Sequence, residues 1–219
     1  MLWDSCKLGV AAFVGEMSSA IITTVFNFLL LKEVGNIGIA AYGIVANLSA
    51  IAMALFNGIA QGMQPLVSES YGRMNIKEVH GLLRLGLITG ITLELILVGA
   101  AFLMTDSLVA IFNSAHVDAL AEYAHVALRL YFLGYLFAGI NIVMVSYFAA
   151  IGEAISASIA SILRGIVAVL VFAIGMAAIW GLNGIWLSFM AAEGTTSIVI
   201  ALLYIVRRKN MIIVNAKEE

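Results

Sequence analysis

"VGNIGIAAYGIVANLSAIAMALFNGIAQGMQPLVS", residues Val34 to Ser68, contains no Asp, Glu, Lys or Arg. Crossing the hydrocarbon core of a bilayer takes about 20 mostly apolar helical residues, and this run is longer than that. Two more uncharged runs follow, Leu130–Gly152 and Gly165–Ala192. The whole chain repeats the pattern: of its 219 residues 63% are hydrophobic and 11% charged, where a soluble domain carries about 25% charged residues. So little polar surface cannot cover so much apolar side chain in water, and the fold class expected is an all-α membrane protein whose solvent is lipid. The net charge of −2 leaves no basic excess to neutralise phosphates, which argues against a nucleic-acid partner.

Working outward from Val34–Ser68, six transmembrane helices are predicted, roughly 8–31, 39–67, 76–104, 119–150, 156–180 and 184–206. Connections rich in Gly, Asn, Ser or Asp separate them: "KEVGNIG", "SESYGRMN", "TDSLVAIFNSAHVD", "IGEAI" and "GLN". With six spans both termini share one side with the second and fourth connections. Lys7, Arg73, Lys77, Arg84, Arg207, Arg208, Lys209 and Lys217 then fall on that side, and Lys32 lies in a connection on the other face. By the positive-inside rule both termini are cytoplasmic. Residues 1–219 read as a single domain, without linker, low-complexity segment or convincing internal repeat. The start, "MLWDSCKLGV", has neither the basic region nor the small-residue cleavage site of a signal peptide, so its hydrophobic stretch is expected to be a mature helix.

The polar residues inside these spans are the candidates for function. A carboxylate at a helix centre costs about 2.5–3.5 kcal/mol on insertion scales. Glu16 in "AAFVGEMSSAIITTVFN" is followed by Ser18, Ser19, Thr23 and Asn27, a polar stripe at near-helical spacing. Desolvation disfavours its charged form, so Glu16 is expected to exchange a proton, or to bind a small cation, near neutral pH. Glu94 has mostly apolar neighbours and is expected to be a surface or interhelix hydrogen-bonding group. Glu193 in "AAEGTTS" is balanced between that role and a functional one. The neutral polar set Asn27, Asn47, Asn57, Gln61, Gln64, Tyr131, Tyr135 and Asn141 reads as cavity lining. Amides and phenols with a single acid suit a large, mostly apolar cation.

Pro65 removes a backbone donor and frees the carbonyl of Gln61, one turn earlier. Freed backbone groups are tolerated in a membrane only beside protein or a water-filled cavity, so Pro65 is expected to bend the second helix next to an aqueous space. Gly58–Gly62 and Gly86–Gly90 both fit GxxxG, a spacing that permits close helix approach. Arg164 is expected at the cytoplasmic interface, its head group snorkelling to water. Lone Cys6 supports neither disulfide nor thiolate metal site, and the histidines His80, His116 and His125 lack ligand spacing. With no HExxH and no GxSxG, an enzyme is not expected.

"GIAQGMQPLVSESYGRMNIKEV" resembles a loop signature of the multidrug and toxic compound extrusion (MATE) transporters. "IAAYGIVANL", "LFAGINIVMVSYFAAIGEA", "SILRGI" and "WGLNGIWLSFMAAE" resemble, in order, that family's carboxy-terminal half. The resemblance implies one six-helix lobe of a twelve-helix transporter that exports cationic or amphipathic compounds in exchange for protons or sodium ions. It implies no cofactor, a cell-membrane location, and a second six-helix lobe or a homodimer partner. Glu16 matches the acidic position that many members carry on the seventh helix, implicated in cation coupling. Many also use an acid on the tenth helix with a nearby tyrosine. Here that region reads "YFLGYLFAGIN", with Asn141 in place of any acid and Tyr131 and Tyr135 retained, so Glu16 would act without that partner. The alternatives are a lipid-linked precursor flippase of the same superfamily and a non-transporting membrane assembly protein.

Overall fold

A computed structural model describes residues 20–218, with side chains through Arg207. Every regular element among the described residues is helical. The first, α1, covers 20–34. It is followed by α2 (Asn36–Gly72), α3 (Ile76–Leu103), α4 (Thr105–Phe112), α5 (Asp118–Phe132) and α6 (Tyr135–Ala150). The chain ends in α7 (Ala154–Ile162), a π-helical segment (Leu163–Val167) and α8 (Ala168–Glu218). A helix satisfies its own backbone, which is what an apolar chain needs where water is absent.

The turns are shorter than the sequence predicted. The connection expected over "KEVGNIG" shrinks to Gly35, at φ 74°, whose N–H donates to the Leu31 carbonyl at 3.1 Å. Helix α2 continues through Pro65 to Gly72 rather than stopping near Val67. At the start of α3 the Asn75 side chain accepts from the Glu78 N–H at 3.3 Å and donates to the Glu78 carboxylate at 2.8 Å, a reciprocal cap.

Helix α8 would be about 75 Å long if straight, against a hydrocarbon core of about 30 Å. It is not straight. Gly181 has φ 56°, ψ −134°, a conformation that only glycine adopts without strain. Across this break the chain doubles back, so that a Cβ at Gly184 would run into the Met176 carbonyl. Arg164 meets Glu193 at 2.8 Å and Arg207 meets Glu153 at 3.0 Å. The members of each pair lie on either side of Gly181, the pair nearer in sequence to the break and the pair farther from it both closing across it, as in an antiparallel helical hairpin.

Three helical stretches are long and apolar enough to cross a membrane: Asn36–Gly72, Ile76–Leu103 and Ala154–Arg207, the last of which contains the Gly181 break. The pair α5–α6, bent by 44° at Leu133–Gly134, makes a fourth if taken as one span. Two expectations change. The fourth predicted helix, 119–150, is two helices, and the predicted connection "TDSLVAIFNSAHVD" contains α4. By length and composition alone the described residues present three or four such stretches, with both arms of the Gly181 hairpin counted as one.

Polarity is arranged for lipid. Leu95 is 61% exposed and Ile198 65%, while Glu94 and Glu193 are each 2% exposed and Asn141 is fully buried. Helix α6 sits at the centre, packed against α2, α3 and α8. One end of the interior is aromatic: Tyr131 stacks on Phe189 with centroids 4.4 Å apart, Phe26 on Tyr42 at 5.2 Å, and Tyr42 on Trp186 at 6.4 Å. The other end is a cluster around Met63, Leu83, Val143, Phe148 and Ile200. Of the two GxxxG pairs only Gly86–Gly90 is used within this packing. Gly86 faces Met63 and Val143, and Gly90 faces Val143 and the Gly139 backbone, whereas Gly58 and Gly62 face open space.

Candidate functional site

Three elements converge on one buried polar cluster. Asn141 comes from α6, Arg164 from the π segment, and Glu193 and Ser197 from α8 beyond Gly181. Arg164 donates from Nη2 to Glu193 Oε1 at 2.8 Å and from Nε to Oε2 at 3.4 Å. Asn141 Nδ2 donates to Glu193 Oε2 at 2.6 Å and to the Glu193 backbone carbonyl at 2.9 Å. The Ser197 hydroxyl donates to Asn141 Oδ1 at 2.8 Å, which fixes the amide's orientation. Glu193 and Ser197, four residues apart, share a helix face. Both carboxylate oxygens are therefore engaged, as a buried charge requires.

The π segment explains how Arg164 gets there. The Ala168 N–H bonds back to the Leu163 carbonyl, five residues earlier, so one turn holds an extra residue. That turn directs Arg164 between Glu193 and a cavity of about 270 Å³ bounded by α2, α6 and the π segment. Asn57, Gln61 and Gln64 form the α2 wall, and Ser146 from α6 also lines the cavity. Their spacing, i, i+4, i+7, puts the three amides on one helix face. Pro65 has no N–H to give the Gln61 carbonyl, so that carbonyl stands at the wall without its helical donor. The Ser146 hydroxyl donates to the Ala60 carbonyl at 3.1 Å and so clamps α6 to α2 beside the cavity.

Of the residues predicted from sequence, Asn57, Gln61 and Gln64 are brought together here. Asn141 lies behind the cavity, bonded to Glu193. Asn27 is half-buried on α1, and Asn47 is exposed, donating to the Gly43 carbonyl of its own helix at 2.7 Å. Tyr131 and Tyr135 belong to the aromatic interior, with the Tyr135 hydroxyl donating to the Ser49 carbonyl at 3.2 Å. Glu16 lies outside the described residues. For Glu94, expected at the surface or between helices, the structure decides for the second: its carboxylate accepts from the Ile140 N–H at 2.9 Å. Arg164 does not snorkel. It is 16% exposed and paired with Glu193, a contact that no spacing in the sequence announces. Among the described residues no three His, Cys, Asp or Glu side chains gather where they could hold a metal ion.

This fold has known counterparts. The MatE family model matches residues 11–164, well over half of the chain. The chain belongs to the MatE family. It is similar to the multidrug export protein MepA of Staphylococcus aureus (strain bovine RF122 / ET3-1), 29% identical over 94% of this chain and 45% of that protein. It is also similar to MepA of Staphylococcus saprophyticus, 26% identical over 99% of this chain and 47% of that protein. The MatE chain thus spans about half the length of the relatives it matches. Among solved structures, an inward-facing multidrug resistance MATE family transporter of the MOP superfamily superposes with a TM-score of 0.87, at 19% identity. That match covers 94% of this chain and 48% of the transporter. An outward-facing conformation gives 0.82 over 91% and 45%. The MatE fold here is that of one half of such a transporter.

Proposed function

We propose that the chain is the carboxy-terminal lobe of a secondary active multidrug exporter. In this reading it crosses the cell membrane six times, as a single domain with both termini cytoplasmic, and moves cargo rather than transforming it. The lobe packs against a second six-helix lobe, from a longer chain or a second copy. Cationic or amphipathic compounds pass through the cleft between the lobes, driven by protons or sodium ions and without a cofactor. The observation that carries the proposal is the end-to-end similarity to about half of each multidrug export relative. The open glycines Gly58 and Gly62 on α2 support a partner lobe, because a small-residue face that packs on nothing within this lobe is suited to close approach by another helix.

In the mechanism we propose, the two lobes rock about the cleft. Glu16 takes a proton or sodium ion from outside, which displaces cargo and biases the return to the inward-facing state by differential binding to the two states. Asn57, Gln61 and Gln64 line the polar wall that cargo meets. In the complete two-lobed transporter Glu16→Gln is expected to abolish drug efflux from proteoliposomes while leaving expression and fold intact. Undiminished efflux would remove Glu16 from the mechanism. A flippase for lipid-linked precursors is the second reading, and Arg164 on the cavity wall is the observation that favours it. A single guanidinium, already paired with Glu193, is little counter-charge for a pyrophosphate, so the exporter reading stands first.

A further inference from the structure

Cargo for a polar cavity is chosen by the charge that the wall presents. Among the residues lining this cavity Arg164 alone is charged. Its counter-ion does not share the wall, since Glu193 is 2% exposed and is not one of the lining residues. The ion pair is therefore a dipole with its positive end toward the cavity. Two Arg164 nitrogens, Nε and Nη2, are committed to Glu193, and Nη1 takes no acceptor among the described residues. A guanidinium has five N–H donors in a planar fork that matches an oxyanion. The rest of the polar wall consists of the neutral amides of Asn57, Gln61 and Gln64, which can donate to an oxygen, and the aliphatic lining of Ile142 and Val145 accepts an apolar body. A cationic group placed here would meet a like charge and no exposed carboxylate among the lining residues.

We propose that this cavity is an oxyanion-recognising subsite: it binds an amphipathic ligand through a carboxylate, or the chemically similar phosphate of a lipid headgroup, set against Arg164. At about 270 Å³ the cavity holds a ligand's head group and the ring or short chain next to it, not a whole drug. The subsite thereby adds zwitterions and amphipathic acids to the cations expected of the cleft. This rests on the exporter reading only for its setting, because the recognition itself is a property of one lobe at equilibrium.

The test uses the complete transporter in phosphatidylcholine nanodiscs with no ion gradient, titrated calorimetrically with three probes that share one aryl body: a carboxylate, its carboxamide and its methylammonium analogue. The carboxylate is expected to bind about tenfold more tightly than the carboxamide, the scale of one charge-assisted hydrogen bond. Arg164→Gln with Glu193→Gln, which removes both charges together, is expected to erase that preference. Gln64→Glu, on an exposed wall residue, is expected to reverse it toward the ammonium. Should the double variant fail to fold, Gln64→Glu decides alone. Repeating the wild-type titration with added phosphatidylglycerol separates the sources. Loss of carboxylate binding there assigns the same subsite to lipid headgroups, and unchanged binding assigns it to soluble acids. Tighter binding of the ammonium probe by the wild-type protein, or a carboxylate preference that survives Gln64→Glu, overturns the proposal. Because no flux is measured, a defect in export leaves these outcomes unaltered, and a failed subsite leaves the Glu16 efflux test standing.

Discussion

Removing one member of the Arg164–Glu193 pair is predicted to destabilise the lobe far more than removing both. The pair is 2.8 Å apart, with Arg164 16% and Glu193 2% exposed. Breaking a buried pair costs about 3–5 kcal/mol, because the orphaned charge keeps its desolvation penalty and loses its partner; replacing both with neutral groups is often close to neutral. The two single variants are not equivalent. In Glu193→Gln the orphan is Arg164, which already reaches the cavity and can draw water there, so the low end, about 3 kcal/mol, applies. In Arg164→Gln the orphan is Glu193, bonded to Asn141 and only 2% exposed, so the high end, about 5 kcal/mol, applies. The double variant keeps a neutral amide at each position and is expected to cost about 1 kcal/mol, the scale of one net hydrogen bond. The non-additivity is therefore about 7 kcal/mol, well above the roughly 0.5–3 kcal/mol usual for contacting neighbours. For a domain of this size about 1 kcal/mol moves the midpoint by about 2–4 °C, so the Arg164→Gln midpoint should fall by on the order of 10 °C or more. Thermal unfolding of the four proteins in detergent, followed by circular dichroism, reads this directly. Single variants within about 0.5 kcal/mol of wild type, or a double variant that costs the sum of the singles, would refute the reasoning.

Three other predictions concern glycines. Gly139→Ala places a methyl group against the Phe56 ring and the Glu94 carboxylate, where α3 and α2 close on α6; a loss of about 1–3 kcal/mol is expected from overpacking. Gly58→Ala meets nothing within the lobe and is expected to leave its unfolding midpoint level or slightly higher, since alanine is the better helix former by about 0.5–1 kcal/mol. In the two-lobed transporter the same Gly58→Ala should weaken association of the lobes, as read by size-exclusion chromatography. Gly181→Ala forces a Cβ into the left-handed backbone region at the hairpin turn. It is expected to cost about 1–3 kcal/mol in thermal unfolding, whereas a variant as stable as wild type would place the turn elsewhere.

Much of the architecture is readable along the chain because the physical causes are local. A run without charges identifies lipid as the solvent, and in lipid a continuous apolar segment has little alternative to a helix. Gly35, Gly152 and Gly181 all adopt positive φ, and each lies in a stretch recognisable as a connection from its composition. The face shared by Asn57, Gln61 and Gln64 follows from helical periodicity alone. What the chain does not reveal is how these helices meet. Residues 141, 164 and 193 lie on three elements, at separations unrelated to any period, and they touch only because the chain reverses at Gly181 and a π turn redirects Arg164. Read singly, Arg164 is a snorkelling surface cation and Asn141 an uncharged stand-in for an acid. Packing brings an acid to Asn141 after all, from the last helix rather than its own. Whether a buried charge is neutralised depends on distance, which falls to a few ångströms or grows to tens with the fold. Tertiary structure therefore decides the polarity of the cavity, while sequence decides only that there are helices to enclose one.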